Sequence, residues 1–224
     1  MDASGEQEEG GVGKVVSDIS MSLDGFIAGP NNSVENPMGD RGEWLHHWMY
    51  PVEGWREPPD LEGRVTDEDS RIAEESLARA GAFLMGRRMF DEGEKPWGDP
   101  PPFHRPVFIV THDAHEQIVR EGGTTYTFVT DGIERALELA KEAAGDSDVA
   151  VSGGANVIQQ LLAAGLLDEL QVHIAPVFLG EGTRLFDRTD LADTGLEATR
   201  VIASPRVTHI RFQVGPRRAP QRAT

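Results

Sequence analysis

Short apolar runs alternate with segments whose apolar residues recur at helical spacing, and nothing else in the chain restricts its fold so much. Residues 15–21, 82–85, 106–110, 126–129, 149–151 and 170–177 have the length and composition of buried strands. Between them, Ile72, Leu77 and Ala80 follow an acidic start at 66–69 with Thr66 as cap, predicting a helix. Ile133, Ala136, Leu137, Ala140 and Ala144 predict another, capped by Asp131, and Val157, Ile158, Leu161 and Leu162 a third. Strands joined through helices run parallel and are covered on both faces, so an α/β fold is expected. The last two runs, 196–203 and 207–214, are separated only by Ser204 and Pro205 and predict a terminal antiparallel hairpin. Thr208, Ile210, Phe212 and Val214 alternate with polar residues, so one face of the final strand is expected to be wet.

The 224 residues suffice for one larger domain, placed at 14–214 between polar tails at 1–13 and 215–224. No apolar run approaches the roughly 20 residues that span a bilayer. The acidic, polar start is unlike a secretory signal, and a cytoplasmic protein is expected. The absence of cysteine excludes disulfides, thiolate metal sites and a cysteine nucleophile. A net charge of −17 disfavours nucleic acid and anionic membranes as partners. An anionic ligand would therefore need a local cluster of the scarce basic residues.

Four segments offer such chemistry. A strand runs into Gly153-Gly154 and then into a helix through Ala155, Asn156 and Val157, a junction where backbone N–H groups suit a phosphate. Another strand meets Gly86 followed by Arg87 and Arg88. Guanidinium groups at a helix start oppose its dipole, and a bound phosphate would compensate them. The strand at 106–110 ends in Thr111 and His112, at the carboxyl edge where open α/β sheets bind ligands. The turn at Asp24-Gly25 leads to Ile27 and Ala28, a segment able to present backbone to a flat ring. The long segment 29–65 carries Trp44, His47 and Trp48 as candidates for stacking on a planar substrate. Adjacent His46 and His47 lack a third ligand, so no metal site is expected.

The ordered series MSLDGFIAGP, MGRRMFD, PVFIVTH, VSGGANVIQQLLAAGLLDEL and PVFLGEGTRLF resembles the dihydrofolate-reductase-like family, over residues 14–214. More narrowly, it is similar to the C-terminal reductase domain of the riboflavin-biosynthesis deaminase-reductase (RibD). The resemblance implies a three-layer α/β/α fold on a mixed, mainly parallel sheet, and a homodimer. It implies NADPH as cofactor, held by Gly86, Arg87, Arg88, Thr111, His112, Gly153, Gly154, Ala155, Asn156 and Val157. Ile27 and Ala28 then flank the nicotinamide, with Leu179, Gly180, Gly182 and Thr183 nearby. The expected reaction is hydride transfer to a small planar C=N or C=O compound, with water or Asp24 as proton source. A dihydrofolate or diaminopyrimidine-riboside reductase and a non-catalytic NADPH-binding protein remain alternatives. Riboflavin-pathway reductases usually carry glutamate before the glycine pair, where this chain has Ser152.

Overall fold

The described residues of the computed structural model are 13–49, 68–187 and 191–216. In chain order they form β1 (Val15–Ser22), β2 (Phe26–Ala28), a 3-10 turn (Gly42–His46), α1 (Glu68–Arg79), β3 (Ala80–Gly86), α2 (Arg87–Trp97) and β4 (Pro106–Val110). There follow β5 (Ile118–Val119), β6 (Thr125–Val129), α3 (Ile133–Ala144), β7 (Asp148–Gly153), α4 (Ala155–Ala164), β8 (Glu169–Ala175), β9 (Thr183–Arg184), β10 (Gly195–Ala203) and β11 (Thr208–Gly215). Nine strands make one sheet in the order β10-β11-β8-β1-β7-β3-β4-β6-β5. Its six central strands are mutually parallel, and β11, β10 and β5 join antiparallel. The expected α/β architecture and terminal hairpin are both present.

Alternation along the strands sorts side chains between the two faces. Ala82, Leu84, Val149 and Val151 point to one, where Ala136, Leu137 and Ala140 of α3 and Ile158 and Leu161 of α4 bury them. Phe83, Met85, Val107 and Ile109 point to the other, against Phe90 of α2. The helix over 133–144 starts from Gly132, not from the expected Asp131, and no side chain caps it. A glycine at φ +94 turns the backbone sharply enough to begin the helix one residue later. The expected cap at Thr66 and most of both tails lie outside the described residues.

The last strand departs from expectation. Its polar face is not wet throughout: His209 is 3% exposed and the Arg211 side chain only 15%. Helix α1 covers that face and meets it with polar groups. Ser76 Oγ donates to Asp18 Oδ2, Arg211 Nη2 reaches Glu75 at 2.8 Å, and His209 Nε2 lies 3.1 Å from Asp69 Oδ1. Alternation identified the polar positions correctly, but an amphipathic strand cannot reveal whether water or a polar helix face lies opposite.

This polar layer makes stability depend on pH. Burial pushes the His46 imidazole down to about 4, and it also lowers His209, assisted by the neighbouring His173. The unfolded chain takes up protons near pH ~6.5, which the folded histidines refuse, so stability falls as pH drops through that range. Asp18 follows at lower pH. Burial raises its carboxyl, but His173, Ser76 and Gln171 outweigh this and hold it below 3.8, so its contribution is lost on further acidification. Urea midpoints at pH 7.5 and 5.0 should differ by about 1–2 kcal/mol of stability, with the lower value at pH 5.0. An equal or higher midpoint at pH 5.0 would contradict the assignment.

Candidate functional site

Parallel pairing brings two glycine junctions together. Met85 pairs with Gly153 across β3 and β7, which places Gly86 beside the start of α4. A β-carbon on Gly86 would stand 3.1 Å from Val157 Cγ2 and 3.9 Å from the Gly154 nitrogen. Gly153 has φ +116, a conformation that suits only glycine. Gly154 precedes α4, and no side chain caps that helix. A β-carbon on Gly154 would meet nothing within 4 Å, so the backbone here borders open space. An uncapped helix start beside such space offers N–H groups and a positive dipole end to an anion. The peptide joining Gly153 to Gly154 is cis.

Arg87 and Arg88 open α2 on the same side. Both pair with carboxylates one turn on, Arg87 with Asp91 and Arg88 with Glu92, each at 2.7 Å. These carboxylates, and not a ligand, supply the compensation that guanidinium groups at a helix start require. The arginines still reach beyond their own helix. Arg88 Nη2 donates to the backbone oxygen of Asn32 at 3.1 Å and to its Oδ1 at 2.6 Å. Arg87 contacts His115 and lies 5.8 Å from the Phe128 ring centre. His115 was not anticipated, because the irregular segment after β4 carries no periodicity, and Phe128 is legible only as part of a strand whose pairing beside β4 the sequence does not show. Thr111 is buried at the end of β4, where its Oγ1 accepts the Asp113 N–H at 3.1 Å, whereas His112 is exposed.

The other candidates gather past β1. β2 pairs with β9 through Ala28 and Thr183. Gly182 is required there, since a β-carbon would come within 2.1 Å of the Ala28 oxygen. Asp24 clamps this corner. Its carboxylate accepts the Ser22 hydroxyl at 2.6 Å, the Leu179 N–H at 3.1 Å and the Gly180 N–H at 2.7 Å. Burial raises the carboxyl, but these bonds outweigh it and hold it below its ordinary value. An acid held ionised is a loop clamp and a poor proton donor at neutral pH. The Leu179 side chain itself is buried with Phe26, Leu45 and Ala175.

The aromatic candidates do not form one surface. Trp48 is 2% exposed, with its indole N–H on Ser20 Oγ at 3.1 Å and its ring 4.6 Å from that of His173. It is an interior anchor and presents no face to a substrate, which corrects the expectation. Trp44 is at the surface beside Arg41, and His47 is exposed.

The cofactor candidates line one sheet edge. They occupy the carboxyl ends of β8, β1, β7, β3 and β4, which are adjacent in that order. Five strands at ~4.8 Å spacing span about 19 Å, so a ligand touching all of them is elongated. Among the described residues no group of histidine and carboxylate side chains could hold a metal, and no helix is long and apolar enough to cross a membrane.

The family profile of the RibD C-terminal domain matches residues 13–210. The chain is 25% identical over 179 residues to the uncharacterized protein YyaP of Bacillus subtilis, covering 77% of this chain and 80% of that one. A putative riboflavin biosynthesis protein from Shewanella sp. PV-4 superposes with a TM-score of 0.62 at 19% identity, over 91% of this chain and 99% of the other. Dihydrofolate reductase from Enterococcus faecalis, complexed with NADP(H), superposes at 0.51 with 14% identity, over 90% and 97%.

The two glycines at the cradle should respond differently to alanine. Gly153→Ala forces φ +116 on a side-chain-bearing residue and should cost about 1–3 kcal/mol in urea unfolding. Gly154→Ala enters open space and should change stability by less than ~0.5 kcal/mol. Equal costs would show that the local backbone is not as described.

Proposed function

We propose that this chain, which belongs to the RibD C-terminal domain family, is a reductase that holds NADPH along the carboxyl edge of its sheet and passes a hydride to a small planar substrate. The acceptor bond is C=N or C=O in a compound of pterin or pyrimidine type. One observation carries the reading: Gly154 borders open space at the uncapped start of α4, Gly86 packs close beside that start, and two arginines stand alongside. Such a cradle suits a pyrophosphate, because backbone N–H groups replace its hydration and no side chain intrudes.

The surroundings fit both ends of the cofactor. On one side Arg87, Arg88, His112 and His115 lie at or near neighbouring strand ends, in a chain with net charge −17. Guanidinium groups bind a phosphate by paired charge-assisted hydrogen bonds, which favours NADPH over NADH. To do so they must exchange part of their bonding to Asp91 and Glu92. On the other side Ile27 and Ala28, with the backbone from Leu179 to Thr183 beside them, would lie against a flat ring. The NADP(H) complexed with the enterococcal dihydrofolate reductase, which shares this fold, supports the same cofactor.

Once bound, the cofactor supplies the hydride, and the chain supplies position, charge and shelter from water. Asp24 holds the loop at 179–180 beside β2 through its accepted N–H bonds, which shapes the ring-facing end. With that carboxylate committed as an acceptor, water is the proton source in this reading. The carboxylates of α1 are committed too: Asp69 to Arg206 and His209, and Glu75 to Arg200 and Arg211. That leaves Asp69 and Glu75 as acceptors and not as proton donors to a pterin.

Thermal unfolding with added dinucleotide tests the cofactor. NADPH should raise the melting temperature more than NADH, and Arg87→Ala with Arg88→Ala should erase the difference. Gly154→Ala should weaken both at least tenfold while leaving the apo protein as stable as before. Equal stabilisation by NADH would refute the phosphate assignment, and no effect of either would refute the function. Loss of NADPH absorbance across a panel of pterins and pyrimidines then identifies the acceptor.

A further inference from the structure

Beneath α1 a chain of four ionisable side chains from four elements is joined end to end. Asp18 Oδ1 on β1 meets His173 Nε2 on β8, and His173 Nδ1 lies 2.6 Å from His209 Nδ1 on β11. His209 Nε2 then lies 3.1 Å from Asp69 Oδ1 on α1. Both imidazoles and Asp69 are at most 3% exposed. None of this belongs to the candidate cofactor edge, and neither histidine stood out in the sequence.

Counting protons determines the charge state. Asp18 accepts from Ser76 and, at 2.8 Å, from Gln171. Asp69 accepts from Ser204 Oγ at 3.0 Å and Arg206 Nη2 at 2.7 Å. Carboxylates so engaged are ionised and act only as acceptors. Each must therefore receive a proton from the facing Nε2, so both Nε2 atoms carry hydrogen. The two Nδ1 atoms are left to bond with each other. Two bare nitrogens would repel, and two N–H groups would collide. One proton between them satisfies both, and the pair of rings then bears one positive charge.

The tryptophan described above rests on this pair. Its ring centre is 4.6 Å from that of His173 and 5.0 Å from that of His209, a range where an aromatic ring attracts a cation. Three residues earlier Leu45 packs with Phe26 and Leu179, next to Ile27 and Ala28. We propose that His173 and His209 share a single proton, and that the resulting cation seats Trp48 and thereby holds residues 42–49 against the ring-facing end of the dinucleotide site. The second half rests on the proposed reductase function, whereas the shared proton does not. His173 and His209 are positioning residues in this arrangement.

The seat responds to pH. Asp18 from β1 and Asp69 from α1 contact the pair. Ser76 and Gln171 stand on Asp18, and Arg206 from the hairpin turn stands on Asp69. Arg211 from β11 pairs with Glu75 beyond them, and His46 of the 3-10 turn lies within electrostatic reach of His173. Arg200 of β10 stands behind Glu75. Burial lowers both His46 and His209, so His46 stays neutral near pH 7 and His209 resists a further proton until the medium is acidic. When that proton enters, two N–H groups oppose each other, the rings part and Trp48 loses its seat.

Ring-nitrogen NMR spectra of the full chain between pH 8 and pH 5 test this directly. Near pH 7 both Nε2 atoms should be protonated and one strongly deshielded proton should couple the two Nδ1 atoms. At pH 5 hydrogen-exchange protection of the Trp48 indole should fall at least tenfold. An unprotonated His209 Nε2 at pH 7 would overturn the proposal, as would indole protection that ignores titration of the pair. His209→Gln keeps a donor for Asp69 and an acceptor for His173 but removes the second titration. The variant should lose the pH dependence of indole protection and, relative to wild type, at least half of the drop in NADPH affinity between pH 7 and pH 5. A drop unchanged in the variant would overturn the seating role. Failure of NADPH to bind at any pH would refute the reductase function, and the wild-type ring spectrum would still decide the shared proton.

Discussion

The parallel register of β1, β7 and β3 is the constraint on which the rest of the molecule depends. Parallel strands deliver all their carboxyl ends to one edge, so every following loop is brought to the same side. Because Met85 sits opposite Gly153, the β3-α2 and β7-α4 junctions touch, and Gly86 packs on Val157. A slip of one residue would turn Leu84 and Val151 out of their core and separate the two glycine junctions. The cradle is thus a consequence of strand pairing.

The two faces of this sheet are held in different ways. Over β3, β4 and β7 the contacts are apolar on both sides, with burial as the driving force. Over β1, β8 and β11 the face under α1 is polar, and carboxylates, imidazoles and guanidinium groups meet in matched pairs. Such groups pay a desolvation cost that their attraction only partly offsets, so they contribute little net stability. They do impose register: a helix bound by Asp69, Glu75 and Ser76 can sit in only one place, whereas an apolar stripe tolerates sliding. The position of α1 and of the segment around Trp48 follows from that requirement.

Much of this was legible in the chain. Strands of five to eight residues and helices of ten or more leave a periodic trace, and each expected one among the described residues is found within a few residues of its predicted bounds. Strands of two or three residues leave none, which is why β2, β5 and β9 escaped notice. The glycine junctions were visible because glycine is scarce inside regular elements and conspicuous at their ends. His115 and Phe128 were not, since the course of an irregular segment brings the one to Arg87 and the pairing of β6 with β4 brings the other. Trp48 was visible but misassigned, for an aromatic in a long loop reads equally well as an anchor or as a binding surface.

The sequence by itself determined the α/β class, the order of elements, the terminal hairpin and the family, because all of these rest on local spacing and on ordered motifs. Tertiary structure alone decided which polar groups face each other. Asp18 and His173 are 155 residues apart, and His209 and Asp69 are 140 apart. No local pattern encodes such distances. They follow from strand order, which sets β1 beside β8 and β8 beside β11, and from the one helix that closes over them.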